Sequence, residues 1–144
     1  MGDDAMERRR DVTERARFHV EAQRRRSQEE SARAQAMIDR FVAQAKQAAL
    51  PTEELTARPR SGSGRYRTGV EGWYLRRNRS VGVGVDGSFY VLNVGPVRFG
   101  RWRSVPIDPT PPPLVVGKGA GDGEVFDLDV LLEQRLQWSG SALD

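Results

Sequence analysis

Cysteine is absent from this chain of 144 residues, lysine is nearly so (two against 21 arginines), and histidine occurs once, at His19. Each shortage closes a class of chemistry. Without cysteine there is no disulfide framework, thiol nucleophile or zinc-thiolate site. With one histidine, flanked by Phe18 and Val20, neither serine–histidine catalysis nor a histidine-based metal site has its parts, and a solvated surface histidine is expected. No apolar run approaches the roughly 18 residues that a membrane span needs. The first ten residues, MGDDAMERRR, hold no apolar core of a secretory signal, and Met6 stands where a myristoylation motif wants Ser or Thr. The expected location is therefore the cytoplasm. Mean hydropathy is −0.62.

Residues 6–49 contain neither glycine nor proline and are rich in Ala, Arg, Gln and Glu, all good helix formers. Asp11→Arg15, Glu21→Arg25 and Glu29→Arg33 are acid-before-base pairs at i,i+4. Over 34–49 the residues Ala34, Met37, Ile38, Phe41, Ala45, Ala48 and Ala49 form a stripe at helical spacing. Its centre, Met37, Ile38, Phe41 and Ala45, is the face expected to bind a protein partner or a second copy. Upstream, Val12, Ala16 and Val20 recur every four residues, but 21–33 offers only Ala22 and Ala32. That stretch reads as a solvated helix, a weak coiled coil or a frayed end. Pro51 ends the helix. Residues 51–64, with Thr52 a cap for one short turn and a Ser-Gly-Ser-Gly run at 61–64, read as a linker.

From Arg65 the period changes to two. Residues 72–77, 80–85 and 88–94 read as strands of an antiparallel meander, with turns at Asn78-Arg79 and Asp86-Gly87. In the middle strand Gly82 and Gly84 leave one face bare, and Tyr74 and Tyr90 are the aromatics expected to cover it. Proline-rich 106–113 should be an extended strap. Residues 114–116 and 124–128 make a hairpin around a glycine-rich loop, and a helix follows at about 130–138, capped by Asp127 or Asp129, with Leu128, Leu131, Leu132 and Leu136 inward. The fold class is α+β: a long helix at 1–50, a linker at 51–64 and a small antiparallel β domain at 65–144, closed by a short helix.

Three motif matches are set aside. GVGVDG at 82–87 lies inside a strand and ends in a hairpin, whereas a dinucleotide fingerprint must open a helix. GKGAGDG at 117–123 lacks Walker A spacing, carries acids that repel phosphate and is too irregular for a calcium loop. Arg103-x-x-Pro106-x-x-Pro109 fits a polyproline ligand, but a strap packed on the sheet explains it more simply. No carboxylate pair is placed for acid–base work.

Charge is uneven. Residues 65–105 carry eight basic and two acidic side chains, and residues 106–144 carry two basic and seven acidic. The basic segment interleaves arginine with aromatics: Arg65, Arg67, Arg76, Arg77, Arg79, Arg98, Arg101, Trp102 and Arg103. A cationic groove with stacking platforms is what single-stranded nucleic acid requires. Mutual neutralisation by the acidic tail is the plainer explanation. The expectation is a non-enzymatic interaction or adaptor module without a cofactor, using the helix and the β domain; the alternative is RNA or single-stranded DNA binding through 65–105.

Overall fold

The computed structural model describes residues 2–59, 64–94, 105–117 and 124–138. A single helix, α1 (Gly2–Gln47), is followed by β1 (Glu53–Pro59), β2 (Tyr66–Tyr74), β3 (Val81–Gly84), β4 (Phe89–Val91), β5 (Asn93–Val94), β6 (Val115–Val116), β7 (Phe126–Asp127) and α2 (Leu128–Gln137). The α+β arrangement expected from the sequence is present: a long N-terminal helix, antiparallel strands, a small hairpin and a short C-terminal helix.

Helix α1 ends where Ala49 turns left-handed (φ 53°) and the Leu50 N–H returns to the Ala45 carbonyl at 2.9 Å, with Pro51 preventing continuation. The chain then enters the sheet at once. The linker reading of 51–64 is corrected here, because 53–59 is a strand. Leu55, Ala57 and Pro59 point inward and Arg58 outward, a period-two pattern hidden by the small side chain of Ala57 and by Pro59. Proline is tolerated because it ends the strand.

β1 to β4 form an antiparallel meander in the order β4-β3-β2-β1, and β5 adds a short parallel ladder to the far side of β1. β4 and β5 are separated by Leu92 alone, yet they lie on opposite edges of the sheet. The sheet therefore coils until the 89–94 segment meets β1, with Arg58 N–H bonded to the Leu92 carbonyl at 2.8 Å and Leu92 N–H to the Ser80 carbonyl at 2.9 Å. Coiling of this kind leaves few strand edges open. β2 and β3 approach so closely that a Cβ on Gly72 would stand 2.1 Å from the Val83 carbonyl oxygen. The Asp86-Gly87 turn forms as expected, with Gly87 at φ 89° and Ser88 N–H held by the Asp86 carboxylate at 3.0 Å.

Each face of the sheet has its own core. On the concave side Leu55, Tyr74, Tyr90 and Leu92 gather with Val70 and Ile107. Tyr90 covers Gly84, but Leu55 rather than Tyr74 lies nearest over Gly82, at 3.0 Å from where a Cβ would be. The Tyr74 hydroxyl accepts the Thr56 N–H at 2.8 Å. The outer side, with Trp73, Leu75, Val81, Val83 and Phe89, is covered by α1 and α2. Phe41 meets Trp73 edge to face at 5.7 Å, and the Trp73 indole N–H donates to the Leu50 carbonyl at 3.1 Å. Gln35 ties α1 to the hairpin through the Gly87 carbonyl at 2.8 Å.

The proline-rich segment is a strap. Val105 N–H bonds the Arg67 carbonyl (2.7 Å) and Thr110 N–H the Phe89 carbonyl (2.8 Å), after which Leu114 N–H reaches the Glu30 carboxylate on α1 (3.2 Å). β6 and β7 pair antiparallel, as read, around a loop whose residues 118–123 lie outside the described set. α2 starts two residues earlier than read. Asp127 occupies its N-cap position without a side-chain cap bond.

Candidate functional site

The structure turns the expected partner-binding face inward. Ile38, Phe41 and Ala45 are buried against Trp73, Val83 and Leu128, and Met37 is half-buried at the rim of that core. The correction has a physical reason: the outer face of the coiled sheet is apolar, and α1 is the element that covers it.

The described arginines of the basic segment are also engaged within the chain. Arg65 donates from Nε to the Thr56 hydroxyl and from a terminal nitrogen to the Thr56 carbonyl at 2.9 Å. Burial pushes its guanidinium below the ordinary arginine range. Arg67 is exposed and paired with Glu54 at 2.8 Å, and its hydrogen bond holds the Glu54 carboxyl below the usual range. Arg76 is buried, pairs with Glu124 at 2.9 Å and lies 4.9 Å above the Phe126 ring. Arg77 lies 4.4 Å above Trp138, and Arg79, left-handed at φ 61°, lies 5.8 Å above Tyr74. Arg98, Arg101, Trp102 and Arg103 fall outside the described residues.

One arginine that the sequence reading passed over is central. Arg135 is only 2% exposed; its Nε donates to the Tyr74 carbonyl and a terminal nitrogen to the Trp138 carbonyl, at 2.8 and 2.7 Å, and its guanidinium lies 4.3 Å above the Trp138 ring. Desolvation pushes its pKa down. The signal was present in the spacing: Arg135 follows Leu128, Leu131 and Leu132 at seven, four and three residues, on the inward face of α2.

Arg76, Arg77, Asn78, Gln134 and Trp138 line a cleft of about 500 Å³ between the β2–β3 turn and α2, with Leu75, Glu124, Phe126 and Leu131. Its cations are occupied by Glu124 and by aromatic faces, so it works as a clasp holding α2 and the 124–127 segment to the sheet. Among the described residues no group of three or more His, Asp or Glu side chains is gathered to hold a metal ion.

The second surface is the N-terminal part of α1. From Gly2 to Glu29 no residue is buried, and Met6, Val12, Phe18 and Val20 are between 56% and 65% exposed. Core packing begins at Ala34. At 1.5 Å per residue, residues 2–29 extend about 42 Å. Among the described residues no ion pair closes within this stretch; the three i,i+4 pairs read from the sequence stay apart. No described helix is long and apolar enough to cross a membrane.

Comparison with models of protein families, with curated proteins and with solved structures finds no match to this chain.

Proposed function

We propose that the chain is a non-enzymatic interaction module in which the coiled sheet and α2 anchor one end of α1, and residues 2–29 form an arm that engages a macromolecular partner. One observation carries this reading. A single continuous helix is packed along its last third and has no buried residue before that. A solvated helix gains little stability from propensity alone, since helical stability in proteins comes mostly from a packed face. The arm's exposed Met6, Val12, Phe18 and Val20 add nothing to this chain's core.

The cleft gives less support to an enzymatic reading: its one lining carboxylate, Glu124, is paired with Arg76. RNA or single-stranded DNA binding through 65–105 is the lesser alternative, because Arg65, Arg67, Arg76, Arg77 and Arg79 are all engaged internally.

Photo-crosslinking of the full chain in cells tests the arm. A crosslinker at Ala16 should give a discrete adduct, and one at Gln137 on α2 should give none. Absence of an adduct from every position between 5 and 27 would refute the reading.

A further inference from the structure

The charges of the arm are sorted around the helix. Arg10, Arg17 and Arg24 follow one another at intervals of seven, as do Arg8 and Arg15, and Arg26 and Arg33. At 3.6 residues per turn these make two rows, each about 80–120° from a line through Val12, Ala16 and Val20. The acids occupy the opposite side: Glu7, Glu14 and Glu21 at intervals of seven, with Asp3, Asp4, Asp11 and Glu29 beside them. Arg25 and Glu30 are the exceptions, and Glu30 is occupied by the Leu114 N–H. Between the rows lies a narrow seam of Ala5, Arg9, Val12, Ala16, Val20, Gln23 and Ser27. All of these side chains are exposed.

A helix built only for solubility intermixes its charges so that they pair. Here the acids are confined to one side of the helix, and although each arginine row borders them at i±3 or i±4, among the described residues no ion pair closes within the arm. Two cationic rows flanking a narrow seam with no acid before Glu30 complement a groove with two anionic walls and a floor about one helix wide. The major groove of duplex DNA, about 12 Å across and walled by phosphates, has that shape. Arginine forks suit phosphate oxygens. The seam supplies Arg9, Gln23, Val12 and Ala16, side-chain types that meet guanine, adenine and thymine methyl edges.

We propose that the arm of α1 docks lengthwise in the major groove of duplex DNA, its arginine rows on the two phosphate walls and its acidic side facing solvent. The proposal rests on the reading of residues 2–29 as the recognition element. A second copy of the arm is a poor occupant, because pairing the seams in either direction sets arginine row against arginine row. A lipid surface is a poor one too: the seam has only Val12 and Val20 to insert, and Phe18 lies on the opposite side.

Fluorescence anisotropy of the full chain with a labelled mixed-sequence duplex, across a salt series, tests the proposal. The plot of log K against log salt should have a slope of about −4 to −7, at about −0.9 per neutralised phosphate. Arg10, Arg15, Arg17 and Arg24 changed together to Gln should weaken binding at least tenfold and flatten the slope by about three units or more. Glu7, Glu14 and Glu21 changed to Gln should not weaken it. Far-UV circular dichroism of each variant checks that the helix is retained. No duplex binding at low salt, equal binding of single strands, or binding that survives the arginine changes would overturn the proposal. A crosslinked adduct from Ala16 without duplex binding would overturn the DNA assignment and leave the arm reading standing. Loss of both would end both.

Discussion

The two ends of α1 are made of similar residues and meet opposite fates. Phe18 and Phe41 sit on the same helix; the first is 64% exposed and the second 1%. The arginines divide the same way. In the β domain Arg67 and Arg76 pair with Glu54 and Glu124, and Arg76, Arg77 and Arg79 stack on Phe126, Trp138 and Tyr74, whereas the arginines of the arm, from Arg8 to Arg25, make no ion pair among the described residues. Arginine richness is therefore two things in one chain. In the domain it is mortar between strands and α2, and in the arm it is uncommitted charge.

The phenylalanine pair breaks this comparison most sharply. Phe41→Ala should cost about 3–5 kcal/mol, enough to unfold a thin core at moderate temperature. Phe18→Ala should stay within about 0.5 kcal/mol. Thermal melts of the two variants measure both, and equal losses would place the arm in the core.

Gly72→Ala comes next. Its Cβ would meet backbone rather than a movable side chain, so β2 and β3 must part, at a cost of about 1–3 kcal/mol or more. A denaturant midpoint indistinguishable from the parent would contradict the close approach of these strands.

Ala49→Gly acts in the opposite direction. Ala49 is held left-handed at φ 53°, a conformation glycine adopts without penalty. The variant should gain about 0.5–1 kcal/mol, read as a higher Tm, by sharpening the stop that sends the chain into β1.

The smallest effect belongs to Glu54 and Arg67. The depressed Glu54 carboxyl contributes stability that is present above the ordinary carboxylate range and is lost as pH falls through its lowered pKa. Arg67→Ala should lower the neutral-pH Tm only slightly, because water screens the pair, and the parent and variant profiles should converge as pH falls and Glu54 is protonated in both. Parent and variant Tm profiles that run parallel between neutral and acidic pH would contradict it.

Local signals carried much of the fold. The absence of glycine and proline from 6–49, the Asp86-Gly87 turn, the β6–β7 hairpin and the leucine spacing of α2 each report a short-range preference that tertiary packing reinforces. What escaped was long-range. β1 offers Leu55 as its single large apolar residue and owes its place to pairing with β2, while the ladder between β5 and β1 depends on coiling of the whole sheet. The stripe at 34–49 was legible as an apolar face, but its partner was not: the outer surface of β2–β4 exists only once the strands have paired. For the same reason five arginines that looked like a cationic patch are clasps, and Arg135, alone among leucines, was passed over.

Amide hydrogen exchange along α1 in the full chain, free of any partner, tests the division most directly. The account predicts that amides from about residue 6 to residue 29 exchange with little protection, while those at 38–45 exchange only when the domain unfolds. Equal, strong protection along the whole helix would contradict it, because the arm would then be packed on something this structure does not give it.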